Sequence, residues 1–235
     1  EGRAPYLAPD LWNLFPTRLD PNTGLPEGWQ RWTLSDIAEH HRATVSPAAK
    51  GDCVFEHYSI PAYDAGQEPG LDLGASIKSN KTVIPESAVL LSKLNPDIPR
   101  VWIPNPPKER LQVASTEFLA FTSKPPASPS LLYCLFGDAA FRSKMQAMVT
   151  GTSKSHQRVS PKALLQRPVL SGARSIIERF DQAVSPLLAR ALKNRAESRT
   201  LAQTRDMLLP KLMSGEIRIR ESATPAEGEL EREAL

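Results

Sequence analysis

The residues with the most chemistry in this sequence lie in one stretch, Thr150-Gly151-Thr152-Ser153-Lys154-Ser155-His156-Gln157-Arg158. Its hydroxyls and backbone N–H groups suit phosphate oxygens. Lys154 and Arg158 add positive charge, and His156 and Gln157 carry the donors and acceptors that read base edges. Phosphate contacts position a protein on a duplex, whereas base-edge contacts specify sequence. The same composition also describes a polar surface turn, and the stretch by itself leaves both readings open. Two further turns set Lys beside Ser or Asn: Ile77-Lys78-Ser79-Asn80-Lys81 and Leu91-Ser92-Lys93-Leu94-Asn95-Pro96.

The charge distribution bears on these turns. The net charge is +3 over 235 residues. Residues 221–235 hold five glutamates against Arg232, a net of −4, so residues 1–220 carry +7. Residues 139–177 contain Arg142, Lys144, Lys154, Arg158, Lys162, Arg167 and Arg174 and no Asp or Glu. Such a stretch is either a solvated basic face or a footprint for a polyanion.

Catalytic readings find little support. Asn105-Pro106-Pro107 is similar to the Asn-Pro-Pro-aromatic loop of amino-methyltransferases, but Lys108 stands where the base-stacking aromatic would be. No Gly-rich turn for a methyl donor and no Walker-type phosphate loop is present. Pro96-Asp97 is not followed by an Asp/Glu-x-Lys pair, because no Lys has an acid two residues before it. His40, His41, His57 and His156 have no metal-ligand spacing with Cys53 or Cys134. The two cysteines read as small buried residues of a reducing cytosol. No apolar run approaches the roughly 20 residues that span a membrane. The chain opens on Glu1-Gly2-Arg3, without Met or a signal-peptide pattern, and reads as a fragment that starts mid-protein.

Positioning these residues requires a folded body. Residues 1–25 are rich in Pro, Asn, Asp and Gly and read as a connector that packs a few aromatics on the body. Residues 26–172 carry short apolar runs divided by Pro and Gly: Cys53–Ile60, Thr82–Ile84, Ala88–Leu91, Arg100–Ile103 and Glu117–Phe121. Runs of that length predict short strands in a sheet. Helices are expected over Thr33–His40, where Thr33 and Asp36 form an approximate capping box, and over Ser128–Met148, where apolar residues recur at helical spacing. The class is α+β.

Residues 173–215 predict one long helix of about 60 Å. Its heptad seam runs Ile177, Phe180, Val184, Leu187, Ala191, Asn194, Ser198, Leu201, Arg205, Leu208 and Leu212, apolar except at Asn194, Ser198 and Arg205. Polar seam positions fix register or partner in a coiled coil. Pro186 should kink the helix or restart it on a Ser185 cap, and Gly215 should end it. The seam either packs on its own domain or meets an antiparallel helix from a second copy or a missing N-terminal half. Residues 216–235 read as a charged, disordered tail.

These segments together resemble the specificity subunits of type I restriction–modification systems. Leu14-Phe15-Pro16, Leu25-Pro26-Glu27-Gly28-Trp29 and Leu34-Ser35-Asp36-Ile37 are similar to the start of a target recognition domain. Ser92–Pro96, Ala114–Phe118 and Gly151-Thr152-Ser153 with His156-Gln157-Arg158-Val159 look like internal blocks of that domain. Glu197-Ser198, Leu201-Ala202 and Arg205–Ile217 resemble the C-terminal conserved helix. The resemblance implies that the chain is the second half of such a subunit. A small mixed-sheet recognition domain would read one half of a bipartite target in double-stranded DNA. The long helix would set spacing and dock methyltransferase subunits. The chain itself would be non-catalytic and cytoplasmic. Partner methyltransferase and restriction subunits would bind S-adenosylmethionine, ATP and Mg²⁺ and carry out adenine methylation and cleavage. A homodimer through the long helix would mimic the whole subunit. On this resemblance Lys78, Lys93, Lys154 and Arg158 are expected at backbone phosphates, and Ser115, Thr116, His156 and Gln157 near base edges. Ser79, Lys81, Asn95, Thr152 and Ser153 complete the DNA-binding set. Helix pairing is expected from Ile177, Phe180, Val184, Leu187, Leu201, Leu208 and Leu212. A non-DNA-binding interaction module acting through the helix is the alternative.

Overall fold

The computed structural model describes residues 9–107, 109–150 and 157–217. Its organising element is a four-stranded antiparallel sheet in the order β2 (Ala38–His41), β10 (Phe118–Ser123), β7 (Val89–Ser92) and β8 (Val101–Trp102). Successive strand side chains point to opposite faces, and here both faces are buried. Val89, Leu91, Val101, Leu119 and Phe121 belong to one core cluster, whereas Leu90, Trp102, Phe118 and Ala120 belong to another. That is why the sequence shows continuous apolar runs instead of alternation.

The first cluster lies under helices. It joins α2 (Leu34–Ile37), α4 (Pro129–Gly137), α5 (Ala139–Gln146), α6 (Pro161–Leu165) and Ile177 of α7 (Arg174–Met213) to the sheet. The second cluster lies between the first sheet and a five-stranded one. That sheet has the order β3 (Thr44–Val45), β6 (Lys81–Val83), β9 (Leu111–Ala114), β4 (Val54–Tyr58) and β5 (Gly70–Leu73), with β4 and β9 parallel. Tyr58 and Trp102 meet edge to face at 4.7 Å, and Tyr63 of α3 (Ile60–Asp64) packs on Trp102 at 5.5 Å. Such pairs add about 0.5–1.5 kcal/mol beyond area burial. Arg100 reaches Asp64 with two bonds of 2.7 and 2.8 Å, tying β8 to α3 and lowering the Asp64 pKa through the hydrogen bond.

Two ribbons complete the body. β1 (Gln30–Thr33) pairs antiparallel with β13 (Pro168–Gly172), and the Trp32 indole donates to the Gly172 carbonyl at 3.1 Å. β11 (Val149–Thr150) pairs with β12 (Arg158–Val159). Before β1, α1 (Pro9–Trp12) leads into a cluster in which Phe15 meets Trp12 edge to face and Trp29 at a tilt.

By packing, the chain divides into two units after Pro186. In the first unit, α7 is anchored at its start. Ile177 is 3% exposed, the Ser128 hydroxyl donates to Asp181, and the Ser185 hydroxyl donates to Asp181 at 2.7 Å and lies 2.9 Å from the Ser130 hydroxyl. In the second unit, Leu187, Leu201, Met207, Leu209, Met213 and Ile217 are exposed.

Four expectations are corrected. Over Thr33–His40 only Leu34–Ile37 is helical. The Thr33 N–H donates to Asp36 at 2.7 Å as the capping box requires, but β10 takes Ala38–His41 as an edge strand. The expected helix over Ser128–Met148 is two helices, because Asp138 turns extended and caps the Ala140 and Phe141 amides at 2.9 and 3.0 Å. Of the kink or restart expected at Pro186, the restart does not occur, because α7 runs through it unbroken and Ser185 bonds Asp181 and Ser130 instead of capping. Cys53 is exposed and Cys134 half-buried, so neither is a core residue. The stop holds: Gly215 has φ of +75° just past Met213.

Phe121 is fully buried and stacks on Phe136 at 5.3 Å. Phe121→Ala should cost about 3–5 kcal/mol, whereas exposed Leu187→Ala should cost under about 0.5 kcal/mol. Urea unfolding of both variants measures this difference, and equal costs would contradict the assigned core.

Candidate nucleic-acid interface

Three segments far apart in sequence meet at one end of the four-stranded sheet. The turn after β7 brings Lys93 and Asn95, the turn before β10 brings Ser115, Thr116 and Glu117, and β12 brings Gln157 and Arg158. Main-chain bonds join them: the Lys93 N–H donates to the Glu117 carbonyl at 2.9 Å, the Val159 N–H to Lys93 at 3.1 Å, and the Asn95 N–H to Gln157 at 3.0 Å. Each turn is stabilised locally. The Ser115 hydroxyl accepts from the Glu117 N–H at 3.3 Å, and the Ser92 hydroxyl accepts from the Leu94 N–H at 3.2 Å. Asn95 sits at φ +47°, the left-handed region that Asn tolerates better than most residues. The result is a polar rim held by the backbone.

A cleft of about 350 Å³ opens on this rim, lined by Asn95, Asp97, Gln146, Val149 and Gln157. Three of those side chains are primary amides, the groups that pair bidentately with adenine edges. Beside it, Arg158 grips Glu117 with bonds of 3.0 Å from both Nε and Nη2. The hydrogen bond and then the charge of Glu117 hold Arg158 firmly protonated. Fork-on-carboxylate geometry of this kind fixes both partners. His40 is nearby, stacked on Phe121 at 5.2 Å, with Arg42 Nε directed at its Nδ1 at 3.4 Å. Burial pushes the His40 pKa down, and the positive charges of Arg42, His41 and Lys93 push it further.

The expected site residues divide. Lys93, Asn95, Ser115, Thr116, Gln157 and Arg158 come together on this rim. Lys78, Ser79 and Lys81 belong to the other sheet. The Lys78 amine donates to the Ala75 carbonyl at 2.8 Å, and Lys81, 9% exposed, donates to the Ser79 hydroxyl at 2.7 Å. Burial lowers the Lys81 pKa. Thr152, Ser153, Lys154 and His156 lie outside the described residues. Of the seam residues, Ile177 is in the body's core, Val184 and Leu208 are half-buried, and Phe180, Leu187, Leu201 and Leu212 are exposed. Asn105, flagged by its Asn-Pro-Pro context, acts as a brace: its N–H donates to the Tyr58 hydroxyl at 2.9 Å and its carbonyl accepts from Gln112 at 2.9 Å.

Sequence reading missed His40, Arg42, Glu117 and Gln146 at this rim. Glu117 lay inside a block already singled out, but as an acid it ran against a search for cations. Gln146 sits in a stretch read only for its apolar spacing, and no local signal marks it. Among the described residues no cluster of His, Cys, Asp and Glu could hold a metal ion.

The depressed His40 pKa carries a sign. Below the ordinary value of 6.5, the unfolded chain binds a proton that folded His40 resists, so stability falls as pH drops through that value. His40→Gln should therefore flatten the decline in melting temperature between pH 7.5 and 5.5, two values chosen to bracket the ordinary imidazole range of about 6.5. A decline as steep as in the unsubstituted chain would remove His40 as its cause.

No family model matches the chain. Among curated proteins it is 22% identical over 205 residues to the type I restriction enzyme MjaIX specificity subunit of Methanocaldococcus jannaschii, covering 84% of this chain and 46% of that protein. Among solved structures it is similar to a chain from a study of complex assembly and conformational transition of the type I R-M system, with TM-score 0.54, 19% identity, and coverage of 90% of this chain and 53% of that one. It is equally similar to the HsdS subunit of Thermoanaerobacter tengcongensis, with TM-score 0.54, 19% identity, and coverage of 89% and 54%. The type I S subunit of M. genitalium gives TM-score 0.53 at 12% identity, over 85% and 48%. The chain spans about half the length of these relatives. In sequence the chain is related to a type I restriction enzyme specificity subunit, and its fold is that of the type I specificity subunits.

Proposed function

We propose that this chain reads one half of a bipartite DNA target and, through its long helix, directs partner subunits to it. The carrying observation is the rim itself. Two internal blocks and the β12 segment, far apart in sequence, are bonded into one polar surface with an amide-lined cleft and the cations Lys93 and Arg158. Backbone phosphates would take the cations, and base edges would meet Asn95, Gln157, Ser115 and Thr116. The chain would be non-catalytic. Methyl transfer to adenine and DNA cleavage would belong to methyltransferase and restriction subunits, which would hold S-adenosylmethionine, ATP and Mg²⁺.

The exposed apolar residues of the second unit support the assembly half of this reading. Leu187, at 69% exposure, and Leu201, at 62%, occupy seam positions of a heptad. A surface row of this kind suits another helix in a knobs-into-holes contact. A second copy of the chain, paired antiparallel, would restore two recognition bodies. The alternative, an interaction module with no DNA role, rests on the same exposed row and is separated from the first reading by duplex binding.

Two measurements test the proposal. Contacts from Lys78, Lys93, Lys154 and Arg158 to about four phosphates give a log–log salt slope at least as steep as about −3.6. No duplex affinity at low salt, with the methyltransferase partner present, would leave only the interaction module. Separately, Leu201→Lys or Leu208→Lys should lower the oligomer mass seen by light scattering while the body's melting transition stays. An unchanged mass would count against pairing through this seam.

A further inference from the structure

A second cleft, of about 390 Å³, lies away from the expected site residues. It is lined by Arg31, Lys144, Arg167, Pro168, Val169 and Ser171. Three elements supply its cations: Arg31 comes from β1, Lys144 from the last turn of α5, and Arg167 from the turn between α6 and β13. Arg31 stands directly across from Ser171 in the ribbon register, and the Trp32–Gly172 bond holds that register. Arg31 is therefore placed by the paired strands, and Arg167 sits in the short turn that leads directly into β13.

The cations of this cleft differ from the ion-paired arginines of the molecule. Arg100, Arg158, Arg174 and Arg205 each hold a carboxylate. Arg31, Lys144 and Arg167 are exposed, and none is ion-paired among the described residues. Among the described residues no carboxylate lines the cleft. Three like charges around one concavity raise the local potential and concentrate anions there. Two guanidinium forks with a hydroxyl beside them match the oxygens of a phosphate group.

We infer that Arg31, Lys144 and Arg167 form a clamp for the backbone phosphates of duplex DNA, a site additional to the amide-lined rim. The inference rests on the DNA-reading proposal above. Helix α5 links the two sites: it gives Lys144 to the basic cleft and Gln146 to the amide-lined one. A ligand that crosses α5 meets amides on one side and unpaired cations on the other. A duplex offers both, base edges to the amides and phosphates to the cations. An acidic protein surface suits the cleft less well, because protein interfaces centre on buried aromatic anchors, and among the described residues the apolar lining here is Pro168 and Val169. The clamp would position the body on the duplex without regard to sequence.

The test uses the full chain and short duplexes of several unrelated sequences across a salt series. Each phosphate contact contributes about 0.9 to the log–log slope. Arg31→Ala/Lys144→Ala/Arg167→Ala should make the slope shallower by about 2.7 and weaken every duplex alike. Arg31→Lys/Arg167→Lys should keep most of the slope. Lys162→Ala, which removes an exposed cation from the same acid-free stretch, should change the slope by less than any single member of the cleft. Melting curves establish that each variant is folded. If the unsubstituted chain binds duplex and the triple variant keeps its slope, the clamp is wrong and the reading of the rim stands. If the triple variant keeps its duplex slope but loses binding to poly-glutamate, the cleft serves an acidic protein and the clamp is equally overturned. If the unsubstituted chain binds no duplex at all, the DNA-reading proposal fails first and takes the clamp with it.

Discussion

Burial of the four-stranded sheet on both faces is the constraint on which the rest of the molecule depends. Leu90 and Leu91 are adjacent in sequence, yet one packs toward the second sheet and the other toward the helices. The same division runs through Val101 and Trp102 and through Phe118 and Leu119. A one-residue slip of β7 or β10 would exchange the two sets and leave large and small side chains in the wrong layers. Register is therefore tightly specified. The turns at the ends of these strands inherit that precision; the Lys93 and Glu117 segments are such turns, and main-chain bonds tie the Arg158 segment to the first of them.

The body uses its arginines in two ways. Arg100 is 7% exposed and grips Asp64, so its role is to join β8 to α3. A buried charge of this kind must be paired, because an isolated one is expensive to remove from water. Arg158 is partly open and paired with Glu117, which orients it at the rim while reducing its net charge. Arg31, Lys144 and Arg167 are exposed without such partners among the described residues. An exposed cation costs little to leave unpaired, so their convergence on one cleft is not something that folding energetics demands.

Much of the layering was legible in the sequence. The apolar runs at 53–60, 82–84, 88–91, 100–103 and 117–121 correspond to β4, β6, β7, β8 and β10. Those are the strands with the strongest burial, where composition and structure are governed by the same term. Strands β5 and β9 escaped notice because Leu71, Leu73 and Leu111 are exposed and their runs are weak. The helix expected over Thr33–His40 was shortened by a tertiary effect: its start had the right capping residues, but sheet pairing claimed Ala38–His41. The site was legible only in part. Blocks carrying Lys93, Ser115 and Arg158 were recognisable by residue type, whereas their meeting depends on main-chain bonds between segments tens of residues apart. Lys144 and Arg167 stood out within an acid-free stretch, but Arg31 did not, since its neighbourhood is formed by strand pairing across the whole body.

The β1–β13 ribbon also has a kinetic meaning. Its Trp32–Gly172 bond spans 140 residues of chain. Closing a loop of that length costs on the order of 4 kcal/mol in chain entropy, more than the few bonds of a short isolated ribbon offset in water. The ribbon is thus expected to form after the two sheets have collapsed, as the last stitch of the body. Arg31 and Arg167 come together only when that stitch is made. A partly folded body, with its sheets already packed, would lack the basic cleft, so its charge pattern would distinguish finished molecules from unfinished ones.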